Sequence, residues 1–155
     1  MALHTFKSIQ KIPITIDEAW DFLSDPKNLA VITPEHLKFT TLSGNDRQMF
    51  PGQIIHYTVK PLLGIKMEWV TEITHVTAKS FFVDEQRVGP YKLWHHKHFL
   101  TEIAGGVEME DIVHYQLPLG FIGDLFHGIL VKPRIHEIFD FRRRKLIELY
   151  GSLNE

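Results

Sequence analysis

The residues best suited to acid–base or metal chemistry are two histidines, His96 and His98, in a segment where polar and apolar side chains alternate. Residues two apart on a β-strand point to the same side, so both imidazole rings face one way. Two carboxylates, Glu85 and Asp111, lie in neighbouring segments of the same kind. Histidine titrates near neutral pH, and burial raises the pKa of a carboxyl group. The four residues are therefore candidate catalytic groups for proton transfer, as in a cyclisation or a dehydration.

Two other interpretations of these residues are open. Two imidazoles and a carboxylate would suit a metal ion with nitrogen and oxygen ligands. Buried histidines and carboxylates more often form hydrogen-bond networks within protein cores. We therefore expect no metal ion and no cofactor, and we interpret the four residues as polar contacts of a binding pocket. Arg142 either pairs with Glu85 or Asp111 or anchors an anionic ligand group, and we favour the ion pair.

The elements that must position these side chains are strands, because polar and apolar residues alternate with a period of two from residue 38 to 117. With a first strand near the start of the chain, the predicted strands cover residues 5–12, 38–43, 53–60, 65–76, 80–88, 92–103 and 106–117. Turn-forming pairs such as Gly89-Pro90 and Gly105-Gly106 separate them. Short turns between successive strands require antiparallel pairing.

Helical signals lie at both ends of the strand region. Thr15 and Glu18 form a capping box before one short helix, and Asp25-Pro26 starts a second. After residue 117 a period of three to four predicts a long helix ending near Tyr150. Its stripe carries Ile135, Ile138, Phe139, Arg142, Leu146 and Leu149. The predicted fold class is α+β: one domain over 1–155, with a curved antiparallel sheet of about seven strands around the long C-terminal helix.

Two assumed turns give the register of the pocket face. A two-residue turn at Ala104-Gly105 sets His98 opposite Asp111, and a turn at 88–91 sets Glu85 opposite Trp94 and Val83 opposite His96. The inward face then carries Met67, Trp69, Phe81, Val83, Trp94, Leu100, Met109, Val113 and Tyr115, together with the polar residues. The predicted ligand contacts are Met67, Trp69, Glu85, Trp94, His96, His98, Met109, Asp111, Tyr115 and Arg142.

Composition restricts the class of protein. The chain has 155 residues, a net charge of -2 and a pI near 6.5, so we expect no nucleic-acid partner, which would favour a basic excess. Cysteine is absent, which excludes disulfides and thiolate chemistry. No stretch approaches the ~20 apolar residues of a spanning helix, and residues 1–10 lack a signal-peptide pattern. We expect a cytoplasmic protein without stable membrane insertion, and the sequence indicates no particular oligomeric state.

Several segments carry a resemblance to a known family. Residues 17–29 (DEAWDFLSDPKNL) and 32–34 (ITP) resemble the first-helix signature of the SRPBCC superfamily, also described as START-like or birch-pollen-allergen-like. The resemblance extends to a bacterial branch related to polyketide cyclases and dehydratases through residues 82–86, 89–91, 94–98 and 138–142, together with Asp111, Val113, Tyr115 and Pro118. It implies a helix-grip fold. It also implies a range of functions, since members bind lipids, hormones or polyketides, act as cyclases or dehydratases, or assist other proteins.

The sequence leaves three functions to compare. The first is binding of a small hydrophobic or aromatic molecule between the sheet and the C-terminal helix. The second is an enzyme of the cyclase or dehydratase type, in which the inward polar residues transfer protons. The third is a protein-partner module whose cavity is filled by its own side chains and falls below the ~300 Å³ usual for small-molecule sites.

Overall fold

The computed structural model describes residues 2–61 and 63–153. The strands are β1 (His4–Ile12), β2 (Thr40–Ser43), β3 (Gln53–Val59), β4 (Met67–Thr77), β5 (Phe81–Val88), β6 (Leu93–Ile103) and β7 (Gly106–Gln116). The helices are α1 (Ile16–Leu23), α2 (Phe121–Phe126) and α3 (Lys132–Tyr150). Single 3₁₀ turns cover Pro26–Leu29 and Glu35–Leu37, and a π-turn, His127–Val131, joins α2 to α3.

The seven strands form one curved antiparallel sheet in the order β1-β7-β6-β5-β4-β3-β2. Each strand lies within two residues of its predicted bounds, because glycine or proline marks most of the turns between alternating segments. The short turn between β6 and β7 uses Gly105, whose φ of +81° suits glycine best. The sheet and the long C-terminal helix confirm the predicted α+β fold class.

The short helical elements near the N-terminus follow their capping signals. The Glu18 backbone N–H donates to Thr15 Oγ1 at 3.2 Å, and the Thr15 N–H donates to Glu18 Oε2 at 2.8 Å, which completes the predicted capping box. Asp25 caps the second element by accepting from the Lys27 N–H. That element is a single 3₁₀ turn rather than a longer helix, because the Asn28 N–H bonds to the Asp25 carbonyl three residues back.

The long helix α3 covers the inward face of the sheet. Pro133 stands at its start, where the first turn of a helix needs no backbone N–H donor. Its buried residues are Ile135, Phe139 and Leu146. Phe139 lies against Phe6 of β1, with ring centroids 4.5 Å apart. The predicted stripe therefore faces the sheet except at its end, where Leu149 is exposed.

The helix α2 and the π-turn are tied to the sheet by a small polar group. The rings of His4 and His127 stack with centroids 3.6 Å apart, and the Tyr115 hydroxyl lies 2.7 Å from His127 Nε2. The Ala2 N–H donates to Asp124 Oδ2 at 3.0 Å. These contacts hold a segment whose large apolar side chains, Phe121 among them, face outward.

The predicted register is correct for one strand pair and wrong for another. In the β6–β7 pair, His98 lies opposite Asp111 and Trp94 opposite Tyr115, as predicted. In the β5–β6 pair, Asp84 lies opposite His96, and Glu85 lies opposite His95. The connection between the two strands is one residue longer than the assumed turn, because the Gln86 side chain bonds to both the N–H and the carbonyl of Tyr91.

This shift exchanges the two faces of β5. A displacement by one residue turns every side chain of a strand to the opposite face. Phe82 and Asp84 therefore face the inside, and the predicted inward residues Phe81, Val83 and Glu85 lie on the outer face. There Glu85 accepts from His95 at 2.6 Å and pairs with Arg87 at 3.0 Å.

Candidate functional site

A cavity of about 160 Å³ lies between the sheet and α3. Its walls come from the segment after α1, from strands β3 to β6 and from α3, and most of the lining side chains are apolar or aromatic. This volume is below the ~300 Å³ typical of small-molecule sites, which is the size that the protein-partner function predicts. It is close to the ~150 Å³ of an apolar cavity that accepts benzene. The cavity therefore has room for about one ring.

The predicted contact residues divide into those that line the cavity and those that do not. Lining residues are Trp69, Trp94, His96, His98 and Arg142. Asp111 is buried and contacts both histidines without lining the cavity. The others stand elsewhere: Met109 in the core cluster with Leu100, Tyr115 in the core beside His127, Met67 at the start of β4, and Glu85 on the outer face.

Asp84 is the functional candidate that sequence reasoning missed. Its neighbours Phe81, Phe82 and Val83 are all apolar, so alternation alone does not decide which face of β5 is inward. A sequence signal was present in Gln86, whose amide can bond the backbone of the following turn, although the length of the connection depends on the folded chain. The inward carboxylates are therefore Asp84 and Asp111, not Glu85 and Asp111.

Five side chains form what we term the polar cluster: Asp84, His96, His98, Asp111 and Arg142. His98 lies between the carboxylates, with Nε2 2.7 Å from Asp84 Oδ2 and Nδ1 3.0 Å from Asp111 Oδ1. His96 Nε2 lies 2.8 Å from the same Asp111 oxygen, and Arg142 Nη1 donates to it at 3.1 Å. The ion pair expected for Arg142 and Asp111 is thus present, across the gap between α3 and β7.

His98 is positioned to carry a positive charge. Both of its nitrogens face carboxylate oxygens, and both are donors only in the imidazolium form. Burial disfavours this charge, but hydrogen bonds and charge attraction from Asp111 and Asp84 outweigh burial and raise the pKa of His98. We therefore assign His98 as the protonated histidine of the pair.

His96 is positioned to remain neutral. Burial, at 5% exposure, and the positive charge of His98 lower the pKa of His96, with the two carboxylates opposing. Its Nε2 donates to Asp111, since an ionised carboxylate can only accept. Its Nδ1 lies 3.5 Å from Asp84 Oδ2, longer than an ordinary hydrogen bond. The unprotonated nitrogen is thus on the side of Asp84.

The two carboxylates remain ionised. Burial favours their neutral forms, but Arg142 and the two histidines hold the pKa of Asp111 well below its usual range. Interactions with His96 and His98 and the charge of Arg142 likewise lower the pKa of Asp84 against the effect of burial. Two carboxylates, one guanidinium and one imidazolium give the polar cluster a balanced charge.

Asp84, His96 and His98 are also the residues that would hold a metal ion. Their ligand atoms lie within 4.8 Å of one another, and two imidazoles with a carboxylate form a common donor set. A divalent cation would have to displace the proton of His98 and would lie near the positive charge of Arg142. The hydrogen bonds and opposite charges within the polar cluster therefore satisfy these side chains without a metal ion. The expectation that no metal binds stays a prediction.

The charge of His98 predicts a pH dependence of stability. A group whose pKa is raised on folding stabilises the folded state, and this stabilisation is complete below the unfolded pKa, about 6.5 for histidine. It is lost as the pH rises through the folded pKa. We expect the free energy of unfolding to fall above pH 6.5, by at most about 1.4 kcal/mol per pH unit. Because folding lowers the pKa of His96, this residue takes up a proton more readily in the unfolded chain, and it lowers the free energy of unfolding as the pH falls below 6.5. Urea unfolding between pH 5 and 8.5 measures both limbs.

The matched variants for this prediction are His98→Gln and His95→Gln. His95 is three residues earlier in the same strand, on the outer face, where it bonds to Glu85. We expect His98→Gln to remove the decline above pH 6.5 and His95→Gln to keep it. A decline of equal slope in His98→Gln would contradict the assignment of the charge.

Aromatic rings make one wall of the cavity rigid. Trp69 meets Trp94 edge to face, with ring centroids 5.5 Å apart, and Tyr91 lies 4.8 Å from Trp94. Within the described residues, two buried N–H donors of lining side chains have no hydrogen-bond partner, Trp69 Nε1 and Arg142 Nε. The cavity is therefore lined by flat apolar surface, and two of its lining side chains carry unpaired N–H donors.

Comparison with solved structures shows which fold this is. Protein CV1439 from Chromobacterium violaceum aligns with a TM-score of 0.70 at 15% identity, over 97% of this chain and 99% of that one. The major latex-like protein 151 from Panax ginseng aligns with a TM-score of 0.66 at 8% identity, over 96% and 97%. The protein Ara h 8.0201 aligns with a TM-score of 0.59 at 14% identity, over 95% and 99%.

These alignments cover nearly the whole chain and confirm the helix-grip fold that the resemblance to the SRPBCC superfamily implied. No family model matches the sequence, and no curated protein matches it. Across residues 2–61 and 63–153, none of the helices has the length and apolar content to cross a membrane.

Proposed function

We propose that the protein binds a small apolar or aromatic molecule in the cavity between the sheet and α3. The observation that carries this proposal is the cavity itself, about 160 Å³ of space lined mainly by apolar and aromatic side chains, with four of the five residues of the polar cluster in its wall. Ligand sites commonly have this composition, with a few polar groups that fix orientation.

The volume restricts the ligand to a compound with about one ring. A cavity of ~150 Å³ holds benzene, whereas polyketides and lipid tails need several times that space. The rings of Trp69 and Trp94 would contact a flat ligand, and offset or edge-to-face aromatic contacts contribute about 0.5–1.5 kcal/mol each beyond buried area. We propose a monocyclic ligand in contact with these two side chains.

The test combines a ligand screen with a variant that fills the cavity. Ile138 lines the cavity from α3, and Ile147 is an exposed residue of the same helix. We expect single-ring compounds to quench tryptophan fluorescence and to raise the melting temperature of the wild-type protein. Ile138→Trp should weaken binding by about tenfold or more, because the added ring competes for space.

The matched control is Ile147→Trp, which adds the same ring outside the cavity. It should retain the wild-type affinity. Equal weakening by both variants would contradict binding in this cavity. Absence of binding for every single-ring compound would contradict the proposed function and favour the alternative of a protein-partner module with a filled cavity.

A proton-transfer enzyme is a second candidate, favoured by the geometry of His96. This residue lines the cavity, remains neutral, and has its unprotonated Nδ1 on the side of Asp84. A neutral imidazole at a ligand cavity can act as a general base. Turnover of a bound compound that His96→Gln abolishes, with retained ligand affinity, would establish this candidate. Unchanged turnover in His96→Gln would exclude that role.

A further inference from the structure

We infer that the cavity selects a single-ring ligand that carries a hydrogen-bond-accepting oxygen, such as an aryl carbonyl compound. This inference rests on the proposed function and specifies its ligand class. It follows from two buried N–H donors of cavity-lining side chains that have no hydrogen-bond partner among the described residues, and from the charge balance of the polar cluster. The step that we infer is that a ligand oxygen in the cavity reaches these donors.

Trp69 supplies the first donor. The residue is 8% exposed and lines the cavity. Its indole N–H can only donate, and Nε1 has no hydrogen-bond partner among the described residues. The ring is held by Tyr57, stacked at 6.0 Å between centroids, and by Trp94, edge to face at 5.5 Å. The donor is thus fixed in position before any ligand binds.

Arg142 supplies the second donor. Its Nη1 donates to Asp111 at 3.1 Å, and its guanidinium carbon lies 5.1 Å from the centroid of the Phe139 ring. These two contacts orient the side chain. Nε is buried and has no partner among the described residues. A guanidinium N–H cannot accept, so only an acceptor atom of a ligand, or water, can satisfy it.

The charge balance of the polar cluster favours a neutral acceptor over an anion. The carboxylates of Asp84 and Asp111 already match the charges of Arg142 and His98. A carboxylate ligand would add an unmatched negative charge to a buried site, which is unfavourable. A carbonyl oxygen accepts two hydrogen bonds without adding charge.

A pure hydrocarbon would fill the same space but leave both donors without partners. Buried polar groups that lose their partners oppose binding, which is how sites built for a polar group reject its apolar analogue. The cavity should therefore distinguish compounds of equal shape that differ only in the acceptor oxygen.

Acetophenone and α-methylstyrene are such a pair, since a carbonyl oxygen in one replaces a methylene group in the other. We expect calorimetric titration of the wild-type protein to give an affinity at least about tenfold higher for acetophenone, the equivalent of one net hydrogen bond. Benzoate, of similar size but charged, should bind more weakly than acetophenone at pH 7.

Two variants test whether the N–H groups of Trp69 and Arg142 cause the preference for acetophenone. Trp69→Phe keeps an aromatic ring and removes the N–H, and Arg142→Lys keeps the charge and removes Nε. In each variant we expect the ratio of the two affinities to fall by about threefold or more. The matched control is Trp20→Phe, a buried tryptophan that does not line the cavity, and it should keep the wild-type ratio. Thermal melting confirms that each variant is folded.

The outcomes separate the two proposals. Equal affinity of the wild-type protein for both compounds overturns the inference of an acceptor oxygen and leaves the proposed function standing. A preference that persists unchanged in both Trp69→Phe and Arg142→Lys overturns the assignment of the donors. Failure of acetophenone, α-methylstyrene and every other single-ring compound to bind overturns the proposed function, and this inference with it.

Discussion

Replacing Asp111 with asparagine lowers the free energy of unfolding by about 3–5 kcal/mol, the usual cost of removing one partner from a buried ion pair. Asp111 is 7% exposed, and its Oδ1 meets His96, His98 and Arg142 at 2.8, 3.0 and 3.1 Å. An amide oxygen can accept from two of these donors at most and provides no charge, so the guanidinium would remain buried without its counter-ion. Urea unfolding at pH 6, monitored by tryptophan fluorescence, measures the loss.

The matched control for Asp111→Asn is Glu110→Gln, which removes one negative charge from the adjacent residue of β7. Glu110 lies opposite Phe99 and Ile9 on the outer face, and we expect a change within about 0.5 kcal/mol. A double-mutant cycle with Arg142→Gln should give a coupling of about 0.5–3 kcal/mol. A loss below 1 kcal/mol in Asp111→Asn would show that the polar cluster does not stabilise the fold as described.

Shortening Leu146 to alanine lowers the free energy of unfolding by about 2–5 kcal/mol, because the change leaves a cavity in a closely packed region. Leu146 is 1% exposed and belongs to a core cluster with Ile12, Trp20 and Val107. It therefore connects α3 to the first and last strands and to α1. Urea unfolding of the variant measures the effect.

Leu149→Ala is the comparison for this second variant, since it makes the same change one turn later in α3. Leu149 is 44% exposed, and we expect a loss of no more than about 0.5 kcal/mol. Equal losses in the two variants would mean that α3 contacts the sheet differently from the packing described.

The sequence specified the strands and the β6–β7 register because short-range rules govern both. Every strand except β4 is followed within two residues by glycine or proline. The two-residue turn at Ala104-Gly105 uses the positive φ that glycine adopts at residue 105. Register in such a turn follows from its length. The pairing of His98 with Asp111 could therefore be predicted without knowing any long-range contact.

The position of Asp84 could not be predicted in the same way. Three successive apolar residues, 81–83, give β5 two acceptable inward faces, and the choice depends on a side chain, Gln86, that bonds the backbone of the connection. The volume of the cavity could not be predicted from the sequence either, because it depends on the rotamers that Trp69 and the other lining residues adopt together.

The order of strands in the sheet also determines when the fold can be completed. The first strand, β1, pairs with the last, β7, through contacts such as His4 with Tyr115 and Ile12 with Val107. A pairing between such distant segments requires closure of a long loop before any contact compensates the lost entropy. During synthesis on the ribosome, the N-terminal strand therefore has no partner in the sheet until β7 has emerged, and this edge of the sheet forms only in that late step.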